Sequence, residues 1–232
     1  MTHVKICGFQ KSEHAFTAIE AGVDSIGLVF VEGASRSLGF QEAENLLERI
    51  RGSFAKLPEI VGLFADQPLD QVTNYIEKLK LDSIQLCANE SMEYCSKISI
   101  PVYKVIGIDP QVPISAQMPR IMLLQQRHSL AGHRIVIDTK ISGAYGGTGI
   151  SFDWDVASDL SKSFRMTLAG GLSPDNVAQA ITQVRPWGVD ASSGVESNGE
   201  KDPEKIVTFI RQVKNTDLTH KNRSLFKLFR RN

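Results

Sequence analysis

Short β-rich runs alternate with amphipathic helical stretches from one end of this chain to the other, and that alternation constrains its fold more than any other feature. Strands are predicted over residues 3–7, 25–30, 60–64, 83–86, 102–108, 134–138, 166–169 and 188–191. Helices are predicted between them, over residues 12–21, 41–51, 69–79, 91–97, 153–160, 174–184 and 203–214. Several carry start signals: Ser12 ahead of Glu13, Asp70 after Pro68, Ser173-Pro174-Asp175, and Asp202-Pro203-Glu204. The stretch 111–129 is the least regular, because Pro113 and Pro119 interrupt its helical pattern. Strand followed by helix, repeated through roughly 215 residues, predicts an α/β fold: a (β/α)8 TIM barrel forming a single domain. A doubly wound open sheet usually shows a GxGxxG turn after its first strand, and Cys7-Gly8-Phe9-Gln10 does not supply one.

The bulk properties remove several classes of function. With 26 basic and 26 acidic residues the formal net charge is zero, so no overall field recruits nucleic acid or an acidic membrane surface. No apolar run approaches the ~20 residues of a membrane span, and the opening Met-Thr-His-Val-Lys lacks the apolar stretch of a secretory signal. Cys7, Cys87 and Cys95 cannot all pair, and free thiols fit a reducing cytoplasm, the expected location.

In a barrel, reactive side chains sit at the C-terminal ends of strands and in the loops that follow. Cys7 ends the first predicted strand and Asp138 the sixth; a thiol and a carboxyl in those places are the parts needed to move protons around a carbon. Strand alternation puts Lys5 and Cys7 on one face, and Val136 with Asp138 on one face, so both reactive groups are expected to point at a central pocket. Arg36, in Gly33-Ala-Ser-Arg-Ser37 after the second strand, offers a planar fork for a carboxylate or phosphate. The loops after the seventh and eighth strands contain Gly170 and Gly171, then Asp190 followed by Ser192, Ser193 and Gly194. Barrels commonly bind phosphate there through backbone N–H groups. Gly146-Gly147-Thr148-Gly149 lacks the Lys-Ser/Thr ending of a P-loop and reads as a loop over the pocket. The five histidines show no shared spacing of a metal site, and no CxxC pair suggests zinc. Asp24 and Asp82, each just ahead of a strand, read as turn or cap residues.

Taken together these segments resemble one family, phosphoribosylanthranilate isomerase of tryptophan biosynthesis. The matching stretches are Val4-Lys-Ile-Cys-Gly8, Ala21-Gly-Val-Asp-Ser-Ile-Gly-Leu-Val-Phe30, Ser35-Arg36-Ser37, Val61-Gly-Leu-Phe64 and Asp138-Thr-Lys140. They continue with Tyr145-Gly-Gly-Thr-Gly149, Phe152-Asp-Trp154, Leu168-Ala-Gly-Gly-Leu-Ser-Pro-Asp-Asn-Val177 and Gly188-Val-Asp-Ala-Ser-Ser-Gly-Val-Glu196, in family order over roughly residues 3–214. The resemblance implies a (β/α)8 barrel and an Amadori rearrangement of N-(5′-phosphoribosyl)anthranilate to 1-(2-carboxyphenylamino)-1-deoxyribulose 5-phosphate. By position, Asp138 resembles the general acid at the furanose ring oxygen and Cys7 the general base at C2′. Arg36 would grip the anthranilate carboxylate, Gly170, Gly171, Ser192, Ser193 and Gly194 the phosphate, and Asp190 would line the pocket. No cofactor and no metal are implied, the partner is a phosphorylated small molecule, and the family occurs as monomers and homodimers. On this reading Cys7 needs a modestly lowered pKa, with Lys5 favouring the thiolate or else pairing with a buried carboxylate, and Asp138 needs a raised one. A sister isomerase of histidine biosynthesis typically carries an aspartate where this chain has Cys7. A non-catalytic descendant would be expected to lose Cys7, Asp138 or Arg36.

Two departures stand out. The family usually shows Gln-Leu-His-Gly after the fourth strand, whereas this chain reads Gln85-Leu86-Cys87-Ala88. Residues 1–214 cover the expected barrel, and 215–232 are expected to form a poorly ordered basic tail, with Lys221, Arg223, Lys227, Arg230 and Arg231 against Asp217. Leu225, Phe226, Leu228 and Phe229 give that tail an amphipathic pattern.

Overall fold

In the computed structural model, which describes residues 1–139 and 153–229, every predicted strand forms and the ring closes. The strands are β1 (His3–Cys7), β2 (Ser25–Val29), β3 (Glu59–Phe64), β4 (Ser83–Leu86), β5 (Val102–Ile108), β6 (Arg134–Thr139), β7 (Met166–Leu168) and β8 (Gly188–Ala191). All neighbours are parallel, and β1 pairs with both β2 and β8, setting Lys5 opposite Ser25 on one side and Asp190 on the other. The helices are α1 (Ser12–Ala21), α2 (Phe40–Ser53), α3 (Leu69–Leu79), α4 (Met92–Ser96), α5 (Ile114–Leu130), α6 (Trp154–Ser163), α7 (Val177–Val184) and α8 (Pro203–Phe229).

Alternation along each strand divides the interior in two. Val4, Ile6, Ile26, Leu28, Ile60, Ile84, Ile106, Ile135, Ile137, Leu168 and Val189 face outward and are buried under the helices in one continuous apolar layer. Cys7, Val29, Val61, Leu63, Tyr103, Val136 and Ala169 form a second, smaller cluster on the axis, with Cys87 packed against it. The polar residues Lys5, Ser25, Ser83, Gln85, Thr167 and Asp190 are buried as well.

Several boundaries differ from expectation, for local reasons. Helix α5 continues through Pro119, its sixth residue, despite the backbone hydrogen bond that the missing N–H forgoes. Helix α7 begins at Val177 rather than 174, because Asn176 accepts a hydrogen bond from Ser173 N (2.8 Å) and donates to Gly171 O (2.9 Å), bracing residues 171–176 as a loop. Asp202 does cap α8, accepting from the amides of Glu204 and Lys205. Ser12 is the first residue inside α1, where its buried hydroxyl has no partner among the described residues. Asp24 and Asp82 act as clasps between strands, accepting from Val4 N and Ile60 N at 2.8 Å each. Helix α8 continues past Lys214, and Asp217 accepts from Thr2 N (2.5 Å) and Thr2 Oγ1 (2.8 Å), so this turn is part of the barrel wall. The side chains of residues 222–229 and all of 230–232 fall outside what is described, and so does the amphipathic reading of that tail. Among the described residues no helix is long and apolar enough to cross a membrane.

Candidate active site

Cys7 closes β1 with its side chain turned to the axis, and two glycines make this possible. A Cβ on Gly27 would lie 2.8 Å from the Cys7 sulfur. Gly8 has φ +85° and occupies a spot where a Cβ would stand 2.4 Å from Cδ of Arg36. The backbone after β1 therefore packs directly against the Arg36 side chain. That loop is pinned to β2 by the Val29–Ser37 bridge and by Leu38 N donating to Val29 O at 2.8 Å.

The Arg36 guanidinium is held bidentately by Glu196, Nε to Oε1 at 2.6 Å and Nη2 to Oε2 at 2.8 Å. Glu196 begins a small hairpin, β9 (Glu196–Ser197) with β10 (Glu200–Lys201), after the single turn Ser193–Val195. Lys201 returns from that hairpin to the same Glu196 carboxylate, and its Nζ also donates to Ser192 O at 3.2 Å. Ser192 in turn donates through Oγ to Cys7 O at 3.1 Å, tying the loop after β8 to the thiol strand. Sequence reasoning assigned no role to Glu196 or Lys201. Glu196 lies within the family-like run, but only the hairpin brings Lys201 back across the barrel mouth.

Lys5 lies one layer below Cys7, and its Nζ donates to Asp190 Oδ2 at 2.6 Å, both groups being buried. Burial works against the ammonium charge, but Asp190 outweighs it and raises the Lys5 pKa. The other Asp190 oxygen, Oδ1, is buried without a partner among the described residues. Lys5 thus pairs with a buried carboxylate, the second of the two roles allowed by the sequence. Its charge still favours the Cys7 thiolate, as do Lys201 and Arg36, but burial and Asp190 prevail and push the thiol above its ordinary value. The modest lowering expected for Cys7 is absent in this arrangement.

Asp138, on β6, behaves as expected. Burial first, and then the nearby negative charge of Asp190, push its carboxyl up to about 7, against the hydrogen bond from Thr139 N and the attraction of Lys5. Gly170 (φ +87°) lies against this group: a Cβ there would meet Thr139 Oγ1 at 2.4 Å and Asp138 Oδ1 at 3.0 Å. Gly194 packs just as closely on the neighbouring loop, where a Cβ would fall 1.9 Å from Leu172 O. The loops after β7 and β8 therefore touch backbone to backbone, with Gly170 against Asp138 and Ser192 against the Cys7 carbonyl. The charges of Lys5 and Asp190 act on both the Cys7 thiol and the Asp138 carboxyl.

Cys87 also reaches this interior cluster, in the position of the family's usual histidine, and burial pushes its thiol up to about 12. A hollow of about 300 Å³ behind the two loops is lined by Ser173, Ser193, Gly194, Glu196 and Lys205. Neither Cys7 nor Asp138 lines it, so it is separate from that thiol and carboxyl. The stretch Gly146-Gly147-Thr148-Gly149, read as a loop over the pocket, lies outside the described residues.

Comparison with known proteins converges on one family. Residues 4–212 match the profile described as N-(5′-phosphoribosyl)anthranilate (PRA) isomerase. The N-(5′-phosphoribosyl)anthranilate isomerase of Geotalea uraniireducens is 39% identical over 215 residues, 92% of this chain and 99% of that protein. The phosphoribosyl anthranilate isomerase of Thermotoga maritima superposes with a TM-score of 0.79 at 33% identity, covering 93% of this chain and all of the other. A further solved isomerase, in complex with reduced 1-(o-carboxyphenylamino)-1-deoxyribulose 5-phosphate, has a TM-score of 0.76 and 30% identity over 93% of this chain and 100% of its own.

Proposed function

This chain belongs to the N-(5′-phosphoribosyl)anthranilate isomerase family, and we propose that its barrel mouth carries out the Amadori rearrangement by paired acid and base catalysis with Asp138 and Cys7. The substrate is N-(5′-phosphoribosyl)anthranilate and the product its carboxyphenylamino-deoxyribulose phosphate isomer. Protonated Asp138 gives its proton to the furanose ring oxygen as the C1′–O bond breaks, and the anilino nitrogen supplies the electron pair that makes the Schiff base. The Cys7 thiolate then takes the proton from C2′, and the C2′–H electrons form the enolamine, which tautomerises to the ketone. No oxidation state changes overall, so acid and base suffice.

The observation that carries this reading is the Asp138 carboxyl, raised to about 7 by burial and by Asp190. A carboxyl poised there is half protonated at neutral pH, as a general acid needs. The Nη1 edge of Arg36 lies outside its Glu196 clamp, donates to Ser35 Oγ at 3.5 Å, and suits a substrate carboxylate. The convergent glycine and serine loops after β7 and β8 suit the phosphate. The unpartnered Oδ1 of Asp190 suits a sugar hydroxyl. Because the resting Cys7 is a thiol, only the small fraction of molecules that hold a thiolate beside a protonated Asp138 is active at any moment.

The test is loss of anthranilate-type fluorescence when purified protein meets freshly generated phosphoribosylanthranilate, with wild type run beside Cys7→Ala and Asp138→Ala. Rapid turnover abolished by either change supports the reaction and both roles. Turnover that survives Cys7→Ala removes the thiol from the mechanism. No turnover by wild type points to an altered substrate, with Cys87 as the first residue to revert.

A further inference from the structure

On the outer wall, away from the barrel mouth, Cys95 of α4, His128 of α5 and His133 just ahead of β6 place their ligating atoms within 4.8 Å of one another. We propose that these three side chains form a zinc site that clips α4 and α5 to the start of β6.

The grouping is not visible as spacing, because Cys95 comes from a different helix and the two histidines are five residues apart across a turn. The two Nδ1 atoms are 2.9 Å apart, so between them they hold a single proton. Zinc would take that proton's place. Bonds of about 2.0–2.1 Å to each nitrogen in tetrahedral geometry set the nitrogens roughly 3.3 Å apart, a spread of about 0.4 Å. A thiolate with two imidazoles is a donor set that suits zinc rather than magnesium or calcium.

The charges facing the cluster permit a cation. Lys104 of β5 is the nearby positive group, and Glu90 neutralises it through a buried pair at 2.5 Å. Cys95 and His128 are buried, whereas His133 is half-buried and provides a path in from the surface. A second sign of unfinished polar business is Gln125, one turn before His128 on the buried stripe of α5. It is fully buried, with neither amide atom partnered among the described residues. The fourth zinc position is left to solvent on the His133 side.

Cobalt(II) titration of the full chain tests this, because a thiolate bound to cobalt gives a near-ultraviolet charge-transfer band. The expected result is one equivalent of cobalt with that band, displaced by zinc, and a rise of several degrees in Tm with zinc present. The band should vanish in Cys95→Ala and His133→Ala and persist in Cys7→Ala and Cys87→Ala. His133 is only half-buried, so His133→Ala tests the site even if Cys95→Ala fails to fold; thermal melts without metal establish which variants are folded. Absence of a stoichiometric band, its survival in folded His133→Ala, or its loss in Cys7→Ala or Cys87→Ala would overturn the proposal.

Discussion

Both ends of the barrel axis are polar, yet the two ends are built for different work. At the bottom Glu59 accepts hydrogen bonds from Ser25 Oγ (2.9 Å), Tyr103 Oη (2.8 Å) and Arg134 Nη1 (2.5 Å), and His3 Nε2 meets Ser25 at 2.6 Å. Burial opposes the Glu59 charge, but Tyr103, Arg134 and Ser25 outweigh it and hold the carboxyl below its ordinary value. At the top Asp138 has Thr139 N and distant Lys5 in its favour, faces Asp190, and is raised to about 7. One carboxylate is surrounded by donors and stays ionised; the other meets fewer among the described residues and is half protonated near pH 7. The lesson is that inside one barrel the balance between burial and the partners a carboxyl meets sets its hold on a proton: donors outweigh burial at Glu59, whereas burial and Asp190 prevail at Asp138.

That contrast can be broken most sharply at its reactive end. Asp138→Asn and Cys7→Ser should each lower kcat by about 10²–10⁴-fold in the fluorescence assay while leaving the fold intact, whereas Glu59→Gln should leave kcat within a few-fold. Arg36→Ala should cost about 10- to 100-fold, seen mainly as a raised KM, because it removes a charged hydrogen-bond donor to the substrate. The pH profile of kcat/KM should rise up to about pH 7, stay level until the thiol titrates above its ordinary 9.0, and fall beyond it. In Asp138→Asn the break near pH 7 should disappear.

Stability should show the opposite pattern. Glu59→Gln should lower Tm by roughly 2–10 °C at pH 7, toward the small end because Arg134 is partly exposed to solvent. A depressed carboxyl contributes stability above its unfolded value of 4.5 and loses it as pH falls through the lower folded one, so this difference should shrink in acid. Asp138 has the reverse sign. Its stabilising contribution is complete below 3.8 and is lost as pH rises through about 7, so Asp138→Asn should raise Tm by a few degrees at pH 8 and have little effect at pH 5. A melt series in which both variants shifted in the same direction with pH would erase the distinction between the two ends.

The fold was legible because short β-branched runs such as Ile135-Val-Ile137 and helical stripes such as Val72, Ile76 and Leu79 are local signals, written in neighbouring residues. The candidate site was legible only in part. Lys5, Cys7 and Asp138 could be aimed at the axis by alternation alone, and the Gly170 and Gly194 loops by their place after strands. What escaped was contact between distant loops: the Glu196 and Lys201 clamp on Arg36, and the meeting of Cys95 with His128 and His133. The net rise in the Cys7 pKa was hidden for a related reason. Sequence shows that Lys5 is near, but burial and the competing Asp190 charge emerge only when eight strands close. The helix end at 214 was misplaced because Asp217 gains its partner, Thr2, from the far end of the chain.

That last contact bears on the order of events during synthesis. Thr2 and Asp217 are 215 residues apart, and Lys5 and Asp190 are 185 apart. The strand carrying the thiol leaves the ribosome well before its neighbour β8 and the helical turn that anchors it. Until they emerge, β1 has an open edge and Lys5 has no counter-charge. β1 must therefore keep that edge open until the 185 residues that separate Lys5 from Asp190 have been made.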